Sequence, residues 1–310
     1  MHYSKGGNMK TKEYKMTQGI SNLVCIIFTL CAIIPFVLLV TASFTDNTWA
    51  SENGFSFFPA KWSLEAYQYI AMKWGTIGRA YFMTIVVTVI GTIACLIISV
   101  LFAYGISRQD IPGMKIVSFL LIFTMLFNGG LVATYYCYVQ IFHIKDTIWA
   151  LIVPNMLMNA FNVILIRNYF TNSIPPSLEE AARIDGAGEF KILGSIILPL
   201  SKPIIATIGL MTALGYWNDW MNGLYYLTAR GGSKYYTIQI VLNNISDDIR
   251  SIAAAATSSG SSSMAAAAVK LPTTTVRMAI AVVGILPILV IYPFFQRYFV
   301  KGITLGGVKE

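Results

Sequence analysis

Six polar or aromatic side chains interrupt apolar stretches of this sequence and are suited to bind a solute: Asn128, Trp217, Asn218, Trp220, Asn222 and Tyr225. A polar group at membrane depth is costly unless it faces protein or a water-filled cavity. A saccharide passage needs aromatic faces that pack against the C–H surfaces of sugar rings and amides that form hydrogen bonds with sugar hydroxyls. The same residue types also join membrane helices or anchor at the membrane interface, and the sequence leaves both interpretations open.

Catalytic chemistry has no counterpart in this sequence. The two histidines, His2 and His143, are predicted to be surface residues, and no nucleophile–base or metal-ligand spacing is present. No Gly-x-x-x-x-Gly-Lys-Ser/Thr phosphate loop occurs either. We therefore expect no enzymatic activity, no ATP hydrolysis and no cofactor or metal in this chain.

The elements that carry these residues are predicted to be membrane helices. The chain is 56% hydrophobic and only 12% charged, with a mean hydropathy of +0.64, which does not suit a water-facing surface. Its apolar residues form runs of about 20, long enough to cross a bilayer as helices. We predict an all-α membrane protein with six transmembrane helices, at 20–43, 79–107, 116–138, 147–166, 203–227 and 276–299.

Charge sets the predicted orientation. Lysine and arginine before the first helix, in the turn near Arg108 and between the fourth and fifth helices place both chain ends inside. We predict cytoplasmic tails at 1–19 and 303–310 around one transmembrane domain, 20–302. A signal peptide is rejected because the first apolar run is too long. The net charge is +8, but the basic residues do not form a continuous stripe along the sequence. We therefore expect membrane lipid, and not nucleic acid, as a partner.

Two features of the predicted connections bear on later results. The four cysteines lie in or beside apolar runs, so we expect neither disulfides nor a zinc site. A Ser/Ala-rich external stretch at 251–268 fits either a mobile loop or a weak helix.

Residues 174–202, which we call the elbow, are predicted to form two helices outside the bilayer. Ser177 and Glu180 follow two prolines at capping-box spacing, which predicts a helix beginning there. Gly186 suits a left-handed termination of that helix, and a second helix is predicted to end at Leu198. A bare capping box is also common in ordinary loops, so this spacing alone does not assign a function.

The elbow as a whole resembles the permease subunits of bacterial ATP-binding-cassette importers. Their signature is Glu-Ala-Ala, three residues, Gly, nine residues, Ile, one residue, Leu-Pro, and this chain matches each position with Glu180, Ala181, Ala182, Gly186, Ile196, Leu198 and Pro199. Asp185 and Ala187 give the Asp-Gly-Ala form common in sugar importers. The resemblance covers about 79–306 and is closest to the second permease of complex-oligosaccharide importers, through the strings at 127–131, 215–220 and 292–302.

The resemblance implies a role for the elbow and a set of partners. It implies a coupling helix seated in a cleft of an ATPase subunit, with Glu180 facing a basic residue there, Ala181 and Ala182 allowing close approach, and Gly186 forming the turn. The implied partners are a second permease subunit, two ATPase subunits that hold ATP and Mg, an extracellular solute-binding protein and a sugar substrate. The implied location is a bacterial cytoplasmic membrane.

Two alternatives stay open at this stage. An ion-coupled secondary transporter would need ionisable residues buried in its spans, and Asp219 is the one candidate. An importer permease for a solute other than sugar would share the elbow signature. The sequence does not identify the substrate.

Overall fold

A computed structural model of the chain describes residues 12–108, 110–258 and 273–307. These residues are largely helical and contain no β-strand, only an isolated bridge between Thr45 and Trp62. The all-α prediction is therefore confirmed for the described part of the chain. Two units make up this part: one from 12–72, 251–258 and 273–283, the other from 73–108, 110–250 and 284–307.

The first unit begins with the long helix α1, Lys12–Ser43, which contains Pro35. An 18-residue stretch within its apolar segment Met16–Ser43 has a mean hydropathy of 3.1. Helix α1 is followed by the short helices α2, Asn47–Asn53, and α3, Glu65–Met72. The predicted tail 1–19 is already helical from Lys12, and residues 1–11 lie outside the described part.

The second unit is organised around the apolar helix α4, Trp74–Ser107, in which an 18-residue stretch has a mean hydropathy of 2.9. Helix α4 packs along α12, Lys202–Asn218, and α8, Ala160–Ser173. The buried core includes fully enclosed side chains such as Ile166 and Ile208. This packing positions the end of α4 beside the elbow.

Helix breaks divide three of the predicted spans. The third consists of α5, Met114–Leu126, and α6, Gly130–Tyr136, which continues as a π-helical turn to Ile141, and the pair is bent by 117°. The predicted fourth span consists of a short helix, α7, Trp149–Ile152, and part of α8, with irregular backbone between them. In the predicted fifth span, α12 ends at Asn218 and a second helix, α13, runs Met221–Tyr226. Hydropathy averages over windows longer than these breaks, so it could not locate them.

The remaining helices are α14, Ile238–Ser258, and α15, Thr273–Gly307. Helix α15 includes the predicted sixth span and most of the predicted tail at 303–310, and contains Pro287 and Pro293. The Ser/Ala-rich stretch is helical as far as Ser258, and its other residues lie outside the described part.

Helix length and composition support two to four membrane spans among the described residues. Met16–Ser43 and Trp74–Ser107 are each long and apolar enough, and each of two sharply bent pairs can count as one more. The count of six stays a prediction.

Candidate functional site

The first helix of the elbow, α9, is Pro176–Ile184. Its N-cap is Pro175 and no side chain caps it, so the predicted capping box between Ser177 and Glu180 is wrong. Pro176 occupies the first turn, where its missing N–H leaves no donor unsatisfied and its fixed φ suits a helix. Ser177 is therefore already inside the helix, on its exposed side.

The turn after α9 is the one that the sequence predicts. Gly186 has φ +77°, in the left-handed region. The amide of Ala187 donates to the carbonyl of Ala182 at 2.9 Å, and that of Gly186 donates to the carbonyl of Arg183 at 3.0 Å. These two bonds form a Schellman motif, which uses carbonyls that the helix end leaves free. Asp185 is exposed at the C-cap.

The second helical part of the elbow runs Glu189–Leu200, in three pieces. Helix α10, Glu189–Ile192, leads into a π-helical turn, Leu193–Ile197, and then into α11, Leu198–Leu200. The predicted end at Leu198 is thus two residues early. Of the signature residues here, Ile196 and Leu198 are half-buried and Pro199 is exposed. The segment then bends by 81° into α12.

An ionic cluster joins the end of α4 to both helical parts of the elbow. The Arg108 side chain, only 9% exposed, directly follows α4. Its Nη1 donates to Glu189 Oε2 at 2.9 Å and to Glu179 Oε2 at 3.3 Å. Its Nε donates to Asp110 Oδ1 at 3.2 Å. Tyr104, one turn earlier on α4, donates its hydroxyl to Glu189 Oε2 at 2.5 Å.

The cluster shifts the pKa values of Arg108, Asp110 and Glu189, which lie outside the predicted membrane spans or at their end. Burial opposes the charge of Arg108, but the hydrogen bond to Asp110 and the charge of Glu189 outweigh it and raise its pKa. The hydrogen bond from Arg108 lowers the pKa of Asp110. The hydrogen bond from Tyr104, followed by the charges of Arg108 and Arg183, lowers the pKa of Glu189. All three groups are charged at neutral pH.

Glu180 stands apart from this cluster although it is adjacent to Glu179. Its side chain is exposed and forms no hydrogen bond or ion pair within the described part of the chain. It borders a cleft of about 430 Å³ that Arg108, Glu179 and Arg183 also line. Ala181 is exposed and Ala182 is half-buried against the core. Glu180 is therefore an acidic side chain of the elbow with unused acceptor capacity.

Most of the predicted solute-binding residues lie at the break between α12 and α13. Asn222 is buried and donates its Nδ2 to the carbonyl of Pro154 at 3.1 Å. Trp217 is buried and donates its Nε1 to the carbonyl of Gly284 at 3.2 Å. In both cases a side chain donates a hydrogen bond to a backbone carbonyl of another segment. This is the structural interpretation that the sequence left open.

The other predicted solute-binding residues are more accessible. Asn218 is exposed, with its Nδ2 bound to the carbonyl of Leu214, and Trp220 is 42% exposed. Tyr225 is half-buried against a core that contains Tyr216 and Tyr226. Asn128 lies at a different break, that between α5 and α6, where its Oδ1 accepts from the amide of Gly130.

The structure gives several residues roles that the sequence did not indicate. Asp219 accepts from the amides of Met221 and Asn222 in the first turn of α13. The Tyr216 hydroxyl donates to the carbonyl of Ile152 at 2.8 Å. The cluster around Arg108 was also missed, and an arginine directly after a long apolar run was the available signal.

Comparisons with known proteins agree with the signature in the elbow. Residues 69–305 match the family described as "Binding-protein-dependent transport system inner membrane component". The polygalacturonan/rhamnogalacturonan transport system permease protein YtcP of Bacillus subtilis (strain 168) is 39% identical, over 92% of this chain and 95% of that protein. Protein LplC of the same organism is 36% identical over 89% of each chain.

A solved structure shares the fold. It is the crystal structure of a bacterial ABC transporter involved in the import of the acidic polysaccharide alginate. The matched chain superposes with a TM-score of 0.77 at 30% identity, over 94% of this chain and 100% of that one.

Proposed function

This chain belongs to the family of binding-protein-dependent transport system inner membrane components, and from this premise we propose that it carries a sugar or oligosaccharide across a bacterial cytoplasmic membrane. It acts as one permease subunit of an ATP-binding-cassette importer. A second permease subunit completes the passage, and an extracellular solute-binding protein delivers the sugar. Two ATPase subunits bind ATP and Mg, and both termini of this chain lie with them in the cytoplasm.

The observation that carries the proposal is that the adjacent residues Glu179 and Glu180 differ in their contacts. Glu179 turns toward Arg108 and Arg183, whereas Glu180 is exposed with no partner among the described residues. An exposed carboxylate on a rigid helix suits a charge-assisted bond to an arginine or lysine of another protein. Glu180 can therefore bind an ATPase subunit without breaking an ion pair within this chain.

Two apolar side chains extend the same contact surface. Ile184 is 87% exposed and Phe190 is 84% exposed, and they flank the Gly186 turn. Large apolar side chains on a well-ordered turn provide the anchors of protein interfaces. Glu180 supplies the charged contact and Ile184 and Phe190 supply buried area in the ATPase cleft.

The carbohydrate assignment rests on the relatives and on the accessible residues of the breaks. The names of the relatives refer to polygalacturonan, rhamnogalacturonan and alginate. Asn218 and Trp220 present an amide and an indole at one break, and Asn128 lies at another. We assign Asn218 and Trp220 to the passage, as the residues that contact sugar hydroxyls and sugar faces.

The proposal is tested by Glu180→Lys in the whole importer, reconstituted in liposomes. Placing a lysine against a basic residue of the ATPase should lower sugar uptake to about a tenth or less, because juxtaposed like charges cost several kcal/mol. Capture of the ATPase by the permease should fall with it. Glu52→Lys is the matched control, an exposed glutamate of α2.

Two results would contradict the proposal. One is normal uptake and normal ATPase capture by Glu180→Lys. The other is sugar uptake by this chain and its partner permease without any ATPase, driven by an ion gradient, which is the behaviour of a secondary transporter.

A further inference from the structure

We propose that Arg108 is a positioning residue that fastens the end of α4 to both helical parts of the elbow, so that movement of the elbow is transmitted to α4 as well as to α12. This inference rests on the proposed function, in which the ATPase acts on the elbow. It adds a route into α4 to the two covalent connections of the elbow. Those connections lead into α8, which ends at Ser173, and into α12, through the bend after Leu200.

The geometry of Arg108 supports this role because one guanidinium reaches both helical parts of the elbow. Glu179 belongs to α9 and Glu189 begins α10, and both accept from Nη1. Glu189 also accepts from Nη2 at 3.3 Å, which makes its pairing with Arg108 two-pronged. A planar fork fixes direction as well as distance, which a point charge does not.

Tyr104 strengthens the attachment from the same helix. Its hydroxyl donates to Glu189 and accepts from Arg108 Nη1 at 3.2 Å. Tyr104 lies in the last turn of α4 and Arg108 directly follows that helix. Glu189 is therefore held by two side chains at the end of α4 at once.

Burial makes the attachment costly to open. The side chain of Arg108 is 9% exposed, and the core beside it contains Ile174 and Phe170. Removing the carboxylates would leave a desolvated charge without a partner, so the closed arrangement is strongly preferred. Apolar packing between α4 and the elbow holds the two together but tolerates sliding, whereas the directional bonds of Arg108 fix their register.

Arg183 provides a built-in comparison. It binds the same two carboxylates, with Nη2 to Glu179 Oε2 at 3.3 Å and Nε to Glu189 Oε1 at 3.2 Å. However, Arg183 belongs to α9, so these bonds join parts of the elbow to each other. Single substitutions can therefore separate cohesion of the elbow from its attachment to α4.

The consequence for transport follows from how α4 packs. Helix α4 contacts α12 and α8 along its length and is central to this unit. With Arg108 in place, the elbow is joined to α8 and α12 by the chain and to α4 by the ionic cluster, so α4 moves with it. Without Arg108, the elbow can shift relative to α4, and the ATPase cycle moves α4 less.

The test measures sugar uptake and ATP hydrolysis in the same liposomes, with the complete importer. For Arg108→Gln we expect normal ATPase capture, near-normal ATP hydrolysis and about tenfold less sugar taken up per ATP, the size of effect typical of lost coupling. Arg108→Lys should fall between this variant and the native chain. Arg183→Gln should change the ratio of uptake to hydrolysis by less than about twofold.

Tyr104→Phe keeps the test decisive if Arg108→Gln fails to assemble. It removes only a hydroxyl, and we expect about threefold less uptake per ATP at an unchanged protein level. A native ratio in the assembled Arg108→Gln importer, or in Tyr104→Phe where Arg108→Gln does not assemble, would overturn the inference. An equal loss in Arg183→Gln would also overturn it, because cohesion of the elbow would then explain the effect.

The two levels of the proposal fail differently. If the inference alone is wrong, the native importer still shows ATP-dependent sugar uptake. If the native importer shows no ATP-dependent uptake, the proposed function is wrong and the inference is overturned with it.

Discussion

Gly91 of α4 lies directly against the ring of Tyr216 of α12. A Cβ atom at residue 91 would come within 2.5 Å of Tyr216 Cζ. The ring cannot easily move away, because its hydroxyl donates to the carbonyl of Ile152 and the side chain is 1% exposed. This contact fixes the closest approach of two helices that the transport mechanism must move together.

We predict that Gly91→Ala destabilises the protein. The added methyl group would overpack the contact, at a cost of about 1–3 kcal/mol. Gly105→Ala is the matched control, on the same helix but with nothing within 4 Å of the added Cβ. Thermal unfolding of the detergent-purified chain, followed by size-exclusion fluorescence, should show a lower midpoint for Gly91→Ala only. Equal midpoints for both variants would contradict the close contact.

We predict that Gly186→Ala impairs transport through the shape of the turn. Gly186 has φ +77°, which costs a residue with a Cβ about 1–2 kcal/mol. The Schellman turn then competes with other conformations, and Glu180 and Phe190 lose their common orientation. Sugar uptake and ATPase capture should both decrease. Gly188→Ala, where φ is −71° and the added Cβ meets nothing within 4 Å, should leave both unchanged.

We predict that the Arg108 cluster makes stability sensitive to acid. The pKa of Glu189 is lowered from 4.5 and that of Asp110 is lowered from 3.8. A carboxyl whose pKa is lowered by folding stabilises the protein fully above its ordinary pKa, and this stabilisation is lost as pH falls through the folded value. The native chain should therefore lose thermal stability below about pH 4.5 more steeply than Arg108→Gln. Parallel pH profiles of the two proteins would argue against the ionic cluster.

We predict opposite outcomes for the two tryptophans beside the α12–α13 break. Trp217→Phe removes the donor to the carbonyl of Gly284 and should lower stability by about 1–3 kcal/mol. Trp220→Ala changes a side chain that is 42% exposed, so the protein level should be unchanged while sugar uptake decreases. Radiolabelled sugar uptake, normalised to permease in the membrane, distinguishes the two effects. Native uptake by Trp220→Ala would remove that residue from the passage.

We predict that Asn222→Ala and Asn218→Ala also separate. Asn222→Ala leaves the carbonyl of Pro154 without its buried donor and should reduce the amount of folded protein, at a cost of about 1–3 kcal/mol. Asn218 is exposed, so Asn218→Ala should fold normally and take up less sugar. The midpoint of thermal unfolding and the normalised uptake rate are the two measurements. Reversal of this pattern would exchange the structural and transport roles assigned to these residues.

The sequence predicts local features of the site better than distant pairings. Gly186 was predicted because a left-handed turn has a strong residue preference, and the helical class followed from long apolar runs. The capping box failed because Pro176 begins the helix before Ser177. Arg108 pairs with residues 71 and 81 positions away, and only the packing of α4 against the elbow brings these charges together.

The breaks in the membrane helices show the same limit. Asn128, Asp219 and Asn222 were read as groups for a solute or an ion, yet their hydrogen bonds go to backbone atoms at helix interruptions. Which carbonyls and amides an interruption leaves free depends on the neighbouring helices. A single sequence does not contain that arrangement explicitly.

The neighbouring acids of α9 also bear on how such importers diversify. Glu179 is committed to the interior of its own chain, while Glu180 is committed to nothing within the described residues. Glu180 can therefore be substituted to match a changed ATPase subunit without unfolding the elbow. Such independence allows one motor to be shared among several permeases, or exchanged for another, during evolution.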